Sequence, residues 1–160
     1  MTKYVLGVDF GTLSALRPGV LGQTGIETAE LIRSAAKTVA PDAVLIFDAL
    51  ASRRVKRLCA TVQISDTGIS PGSGVGNHRS AIDPTSLGVP VIAIGVPTVI
   101  AGHALAQELT GQSAKDPTGL FLTPRDISAR VTELGRLVGY AISSALHPSL
   151  TIEDITGLLS

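Results

Sequence analysis

The chain has 160 residues, the size of a single domain, and its 13 basic and 13 acidic side chains cancel. That balance leaves no electrostatic case for nucleic acid or an anionic membrane as partner. With no apolar run of about 18 residues and no basic-then-apolar leader, the sequence reads as soluble and cytoplasmic. Only 3% of residues are aromatic against 44% hydrophobic, so the core must be aliphatic. The one cysteine, Cys59, excludes an internal disulfide and fits a reducing compartment.

In chain order, Tyr4–Val8 is a short apolar run that reads as a strand, and Pro18–Gly25 is a glycine-rich loop. Thr24 or Thr28 caps a helix to about Val39, with Ile26, Leu31, Ile32 and Val39 turned to the core, and Pro41 ends it. Ala43–Phe47 shows no alternation and is bounded by Pro and Asp, so it reads as a buried strand that delivers Asp48 into a loop. Leu58–Ser65 alternates more and reads as a more exposed strand. Gly68–Pro84 is a long loop, uncommon in a compact domain unless it is functional. Pro90–Val96 is a second buried strand, expected beside Val44–Phe47 in the middle of the sheet, and Pro97 starts a helix to about Leu109. Gly111–Gly119 reads as a mobile connection. Thr123 caps, and Pro124 opens, a helix to about Leu146 with Ile127, Val131, Leu134, Val138 and Ile142 on one face. Thr151 caps a short final helix. Strands alternating with helices predict an α/β fold with a mostly parallel sheet covered on both faces.

Two carboxylates follow strand-like runs and precede small-residue loops. Asp48 sits at the expected carboxyl end of a strand, the edge where open α/β sheets carry their sites. It can act as general base while a second, protonated carboxyl polarises a carbonyl; alternatively it caps the turn into Ala49–Arg53. Asp66 opens an Asp-Thr-Gly turn, in which its carboxylate can bond backbone N–H groups two residues on. In the Pro71–Asn77 loop, Gly72, Ser73, Gly74, Gly76 and Asn77 present backbone N–H groups suited to a substrate or an oxyanion; a plain turn is the alternative. The loop lacks the Gly-Lys-Ser/Thr ending of a nucleotide-binding P-loop. His78, His103 and His147 have no metal-ligand spacing, so neither a metal nor another cofactor is expected. Ser52 has no histidine partner in the sequence. Arg53, Arg54, Lys56 and Arg57 form a basic run that reads as a solvated face or a hold for an acidic substrate.

Several blocks resemble one family: Ser14-Ala-Leu-Arg-Pro-Gly-Val-Leu-Gly-Gln-Thr-Gly-Ile-Glu-Thr28, Phe47-Asp-Ala-Leu-Ala-Ser-Arg53, Thr61-Val-Gln-Ile-Ser-Asp-Thr-Gly-Ile69, Pro71-Gly-Ser-Gly-Val-Gly-Asn77 and Leu87–Val99. They resemble the germination proteases of spore-forming bacteria, peptidases that degrade small acid-soluble spore proteins. The resemblance runs from about Leu13 to Leu159. It implies a three-layer α/β sandwich similar to the hydrogenase maturation proteases, and peptide hydrolysis by two essential aspartates. The partner it implies is a small acid-soluble spore protein, the location the spore core; a homo-oligomer stays open. Asp48 matches one essential aspartate. The other lies in a Thr-Pro-Asp-Ala-Leu-Gly-Pro block that this chain lacks, together with the helix after it. Asp9, which also follows a strand, is the candidate to replace it. The rival reading is a catalytically inactive scaffold of the same family. Lys3–Ser14 resembles instead the opening of ribulokinase-type sugar kinases, as though a foreign first strand were joined to a protease-like body. The link from Tyr4–Val8 to Leu13 is too short for a parallel crossover.

Overall fold

The structure, a computed structural model, describes residues 12–19, 21–75, 79–113 and 119–159. The expected strand Tyr4–Val8, the candidate site residues Asp9, Gly76 and Asn77, and the middle of the Gly111–Gly119 connection lie outside the described residues. Two compact units are distinguished, one of Leu16–Ile127 and one of Ser128–Ser160 with Met1–Ala15.

The larger unit is a mixed α/β fold around a four-stranded sheet: β1 (Val44–Ser52), β2 (Gln63–Ser65), β3 (Val91–Ala101) and β4 (Phe121–Leu122). Its helices are α1 (Leu21–Thr24), α2 (Thr28–Val39), α3 (Pro84–Leu87) and α4 (Gly102–Thr110). The longest apolar run in the sequence supplies β3, and every other strand pairs with it: β1 parallel, β2 and β4 antiparallel. Val44–Phe47 and Val91–Val96 are therefore neighbours, as expected. Among the described residues, however, β1 lies at the sheet's edge rather than in its middle, and the sheet is mixed rather than mostly parallel. The reason is connection length. Between Ser52 and Gln63 there is only a 3₁₀ turn, Val55–Arg57, and no crossover helix. A chain that short cannot return to the start of the sheet, so β2 runs back antiparallel on the far side of β3.

Both long strands outrun their apolar runs. β1 continues through Ala49-Leu-Ala-Ser52, which places Asp48 in mid-strand rather than in a loop. β3 continues through Pro97, where a helix start was expected. Proline is tolerated inside a sheet at irregularities: the β1–β3 register shifts between Leu50 and Ala51, stepping from Pro97 to Val99. The Pro97 carbonyl accepts the Cys59 N–H at 2.7 Å. The expected strand Leu58–Ser65 shrinks to its last residues, because Cys59 has φ +52° and breaks the extended run. Cys59 itself is buried.

The core lies on one face of the sheet. Ala29 of α2, Ile46, Ile82 and Val91 are buried together, with Ile32, Val44, Ile69 and Leu87 packed around them. It is wholly aliphatic, as the composition required. Ile26, which precedes α2, and Val39, its last residue, do not join it; both are exposed. The helix stops at Ala40, which takes a left-handed conformation just before Pro41. Two short helices interrupt expected loops: α1 inside Pro18–Gly25, and α3 at the end of Gly68–Pro84. The second was encoded locally. Asp83 and Ser86 form a reciprocal capping box around Pro84 at the first position. Thr123 does not cap a helix; its hydroxyl donates to the Thr98 carbonyl at 2.8 Å and ties the chain after β4 to β3.

In the smaller unit, α5 spans Ile127–Leu146 and α6 spans Ile152–Leu159. The expected α5 stripe is half-buried at Leu134, Val138 and Ile142, but Val131 is exposed. Thr151 caps α6 as expected: its hydroxyl accepts the Asp154 N–H at 3.2 Å and donates to Asp154 Oδ2 at 2.7 Å. Those bonds favour the charged carboxylate and hold Asp154 below its usual pKa. Ile155, one turn on, is fully buried.

Candidate functional site

Asp48 is half-buried in the middle of β1, opposite Gly95 of β3. Strand alternation puts its side chain on the same face as Ile46, the core face. Burial pushes the carboxyl above its ordinary value of 3.8; the Ala49 N–H, donating to Oδ1 at 2.8 Å, and the positive charge of Arg79 pull the other way. A carboxyl whose protonation is contested by burial and a neighbouring cation is suited to accept and return a proton. The space beside it is apolar: a Cβ on Gly95 would run into the Leu50 side chain, so Leu50 lies over the residue paired with Asp48.

The long loop after Gly68 is fixed over this stretch of β1 at two places. Its far end is anchored by Ile82, which shares the core with Ile46 and exchanges both backbone hydrogen bonds with Ile69. Gly68 permits that pairing, since it has φ +85° and a Cβ there would overlap the Ile82 carbonyl. Nearer the start, the 3₁₀ turn Ser73–Val75 lies against β1, where a Cβ on Gly74 would come within 2.9 Å of the Ala51 Cβ. Asp48 falls between Ile46 and Ala51 on the strand, and Arg79 falls between Gly74 and Ile82 in the loop. Ala51 is three residues on from Asp48, so by strand alternation the Gly74 contact is on the face of β1 opposite the Asp48 side chain. Gly72 adopts φ +74°, a conformation that L side chains resist.

Asp66 is exposed just past the end of β2. β3 separates it from β1: Gln63 is opposite Gly95, which is itself opposite Asp48. Two strand spacings alone amount to about 10 Å, and Asp66 lies further along. The structure does not bring these two aspartates together. The turn chemistry expected of Asp66 belongs to Ser65, whose hydroxyl accepts the Thr67 N–H at 3.2 Å and meets the Thr67 hydroxyl at 2.7 Å.

Ser52 is buried, its hydroxyl donating to the Arg54 carbonyl at 2.7 Å and accepting the Arg54 N–H at 3.1 Å. It closes a local turn. Arg53, Arg54, Lys56 and Arg57 are all exposed, as a solvated run should be. Among the described residues, no group of three His, Cys, Asp or Glu side chains is arranged to hold a metal ion. The residue that the sequence did not single out is Arg79. Its only sequence signal is that it follows the glycine loop. Its Nε is buried and has no hydrogen-bond partner.

The larger unit is thus a mixed α/β fold whose candidate carboxyl, Asp48, is half-buried on a paired strand. The chain belongs to the germination protease family, whose model, described as Germination protease, matches residues 4–111. The match begins at residue 4 and so takes in the stretch for which a sugar-kinase opening was expected. The chain is 41% identical over 187 positions to a germination protease of Caldanaerobacter subterraneus subsp. tengcongensis, covering 96% of this chain and 58% of that protein. It is 39% identical over 180 positions to one of Clostridium perfringens, covering 91% and 55%. A shorter stretch of 99 positions is 56% identical to one of Priestia megaterium, covering 62% and 27%. The chain therefore spans little more than half the length of the relatives that it matches end to end. An alignment of 187 positions against a 160-residue chain also means that the relative carries stretches missing here.

Proposed function

We propose that this chain is an aspartate-dependent endopeptidase domain acting on small acid-soluble spore proteins in the spore core. The observation that carries the reading is Asp48, a half-buried carboxyl raised by desolvation, set between the two places where the glycine loop is fixed to β1. Asp48 is the general base. It takes a proton from the attacking water and passes it to the leaving amine. Gly72, Ser73 and Gly74, against the carboxyl end of β1, hold the substrate backbone, and the three-layer sandwich of the resemblance supports the sheet. The positions present in the relative and missing here favour a second reading, an inactive scaffold of the family. Incubation of the purified chain with a small acid-soluble spore protein, followed by mass spectrometry, decides between them. Discrete fragments that disappear in Asp48→Asn support the endopeptidase; an intact spore protein supports the scaffold. Among the described residues no helix is long and apolar enough to cross a membrane.

A further inference from the structure

The phase of the β1–β3 ladder decides which backbone groups of β1 stay open. The Val44 N–H donates to the Pro90 carbonyl at 2.9 Å, and Val44 is opposite Val91. In a parallel pair, residues that bond to the neighbouring strand alternate with residues whose N–H and C=O both point the other way. Val44, Ile46, Asp48 and Leu50 therefore bond to β3, while Leu45, Phe47 and Ala49 turn their N–H and C=O away from it. The far side of β3 keeps the same phase: the Pro97 carbonyl, an odd number of residues on from Pro90, accepts the Cys59 N–H at 2.7 Å. Among the described residues no strand pairs with β1 on its outward side, and Phe47 and Ala49 are exposed there. One outward donor is already taken. The Ala49 N–H donates to Asp48 Oδ1 at 2.8 Å. Because that N–H points away from β3, the bond brings the Asp48 carboxyl to the free edge of the sheet.

We propose that the free edge of β1 binds the substrate as an added strand, an extended peptide pairing with Leu45 and Phe47 and meeting the Asp48 carboxyl where the ladder would otherwise continue onto Ala49. An unpaired edge is a template for another extended chain. Its main-chain bonds supply affinity, and alternate side chains of the peptide supply selectivity. In a plain ladder the Ala49 N–H would face a peptide carbonyl; here the carboxyl stands between the two. Register along the edge thus selects the carbonyl that Asp48 meets. On the opposite face of the sheet, Phe47, Ile94 and Ile64 form one row across three strands, with Phe47 49% and Ile64 71% exposed. An apolar peptide side chain next to Phe47 extends that row, and such cross-strand pairs stabilise a sheet. The substrate class is therefore an unfolded or extended segment with an apolar residue at that position. A second copy is the poorer occupant. In a β1-to-β1 pair each Asp48 holds the Ala49 N–H that the other copy needs. Little more than Leu45 and Phe47 is left to pair, far short of what a stable dimer buries.

The inference rests on the endopeptidase reading, and the experiment separates the two. Amide hydrogen exchange of the Asp48→Asn chain is followed by NMR with and without a purified small acid-soluble spore protein. Exchange at Leu45 and Phe47 is expected to slow at least about tenfold on addition, the effect of one new hydrogen bond. Unchanged exchange at both residues overturns the proposal. Slow exchange at both in the free chain also overturns it, because the edge is then already covered. Protection that grows with protein concentration assigns the cover to a second copy, and protection that does not assigns it to another stretch of this chain. Substitution at Phe47 supplies the second readout. Phe47→Pro removes an outward N–H and no bond to β3, and edge strands tolerate proline. Its unfolding midpoint should stay close to that of Phe47→Ala. In the Asp48→Asn background, the Kd for the spore protein should be at least about tenfold higher for Phe47→Pro than for Phe47→Ala. Equal affinities overturn backbone pairing. If the wild-type chain leaves the spore protein intact, the endopeptidase reading fails, and exchange at Leu45 and Phe47 still decides whether the edge takes a peptide.

Discussion

Asp48 and Gly95 face each other across the parallel β1–β3 pair, and Gly95 has no room for a side chain because Leu50 occupies the space its Cβ would take. The candidate carboxyl is thus fixed on a rigid ladder whose partner residue must be the smallest available. Gly95→Ala would set its Cβ 2.6 Å from Leu50 Cγ. Such overpacking typically costs about 1–3 kcal/mol, more than the fraction of a kcal/mol that a Gly→Ala change gains from the unfolded chain. Urea unfolding of Gly95→Ala should show that loss, and a double-mutant cycle with Leu50→Ala should show strong coupling. Independent, additive effects would mean that Leu50 does not cover Gly95.

Asp48→Asn should stabilise the fold at neutral pH. Desolvation raises the folded-state pKa of Asp48 above its ordinary 3.8. Between the two values the folded chain holds more protons than the unfolded chain, so stability from this group falls as pH rises through that window. Below 3.8 the carboxyl is neutral in both states, and the variant and wild type should be close to equal. Above the raised value the wild type bears a half-buried charge that asparagine avoids. Denaturant unfolding at pH 3 and pH 7 checks the sign: a variant that is less stable than wild type at pH 7 contradicts the burial of Asp48.

The sequence carries the existence of the two main strands plainly, because Val44–Phe47 and Val91–Val96 are unbroken apolar runs. It does not carry their length. Ala49-Leu-Ala-Ser52 and Pro97-Thr-Val99 have no period of their own, and they stay extended only because each is paired to the other. Nor does local pattern reveal that β2 runs antiparallel, a consequence of how little chain joins it to β1. Asp48 was legible as a candidate, since a carboxylate after a buried run is conspicuous. Arg79 was not, because nothing local marks a residue whose charge acts on Asp48 from a loop that Ile82 anchors in the core. The Asp83–Ser86 cap shows a different kind of miss. Its Asp-Pro-Thr-Ser signal is entirely local, but it sits inside a stretch whose glycines and prolines read as loop.

Ala40 offers a gain in stability. It closes α2 with φ 48° and ψ 60°, and its N–H donates to the Ala36 carbonyl at 2.8 Å. An L-residue pays about 1–2 kcal/mol for that left-handed conformation, which glycine adopts freely at this helix position. Ala40→Gly gives back part of the benefit through its greater freedom when unfolded, so the net gain should be about 0.5–1 kcal/mol. A thermal midpoint higher by about 2–3 °C is the expected reading for a domain of this size. A lower midpoint would place Ala40 in an ordinary helical conformation.

Gly74→Ala tests whether the glycine loop serves the site. An alanine Cβ there would lie 2.9 Å from the Ala51 Cβ, closer than two such carbons approach. Gly74 is exposed on its other side, so the loop can relieve the clash by moving outward. The stability cost should therefore be small, under about 1 kcal/mol, well below that of core overpacking. The displacement matters more for chemistry, because a misplacement of about 1 Å can cost a hundredfold in rate. If the loop holds the substrate backbone, Gly74→Ala should lower kcat/KM for a spore protein by at least about tenfold, with an almost unchanged unfolding midpoint. Adding Ala51→Gly removes the opposing carbon, lets the loop settle back and should restore most of the rate. Undiminished cleavage by Gly74→Ala would take the loop out of the site, and a loss that Ala51→Gly does not repair would show that something other than this contact sets its position.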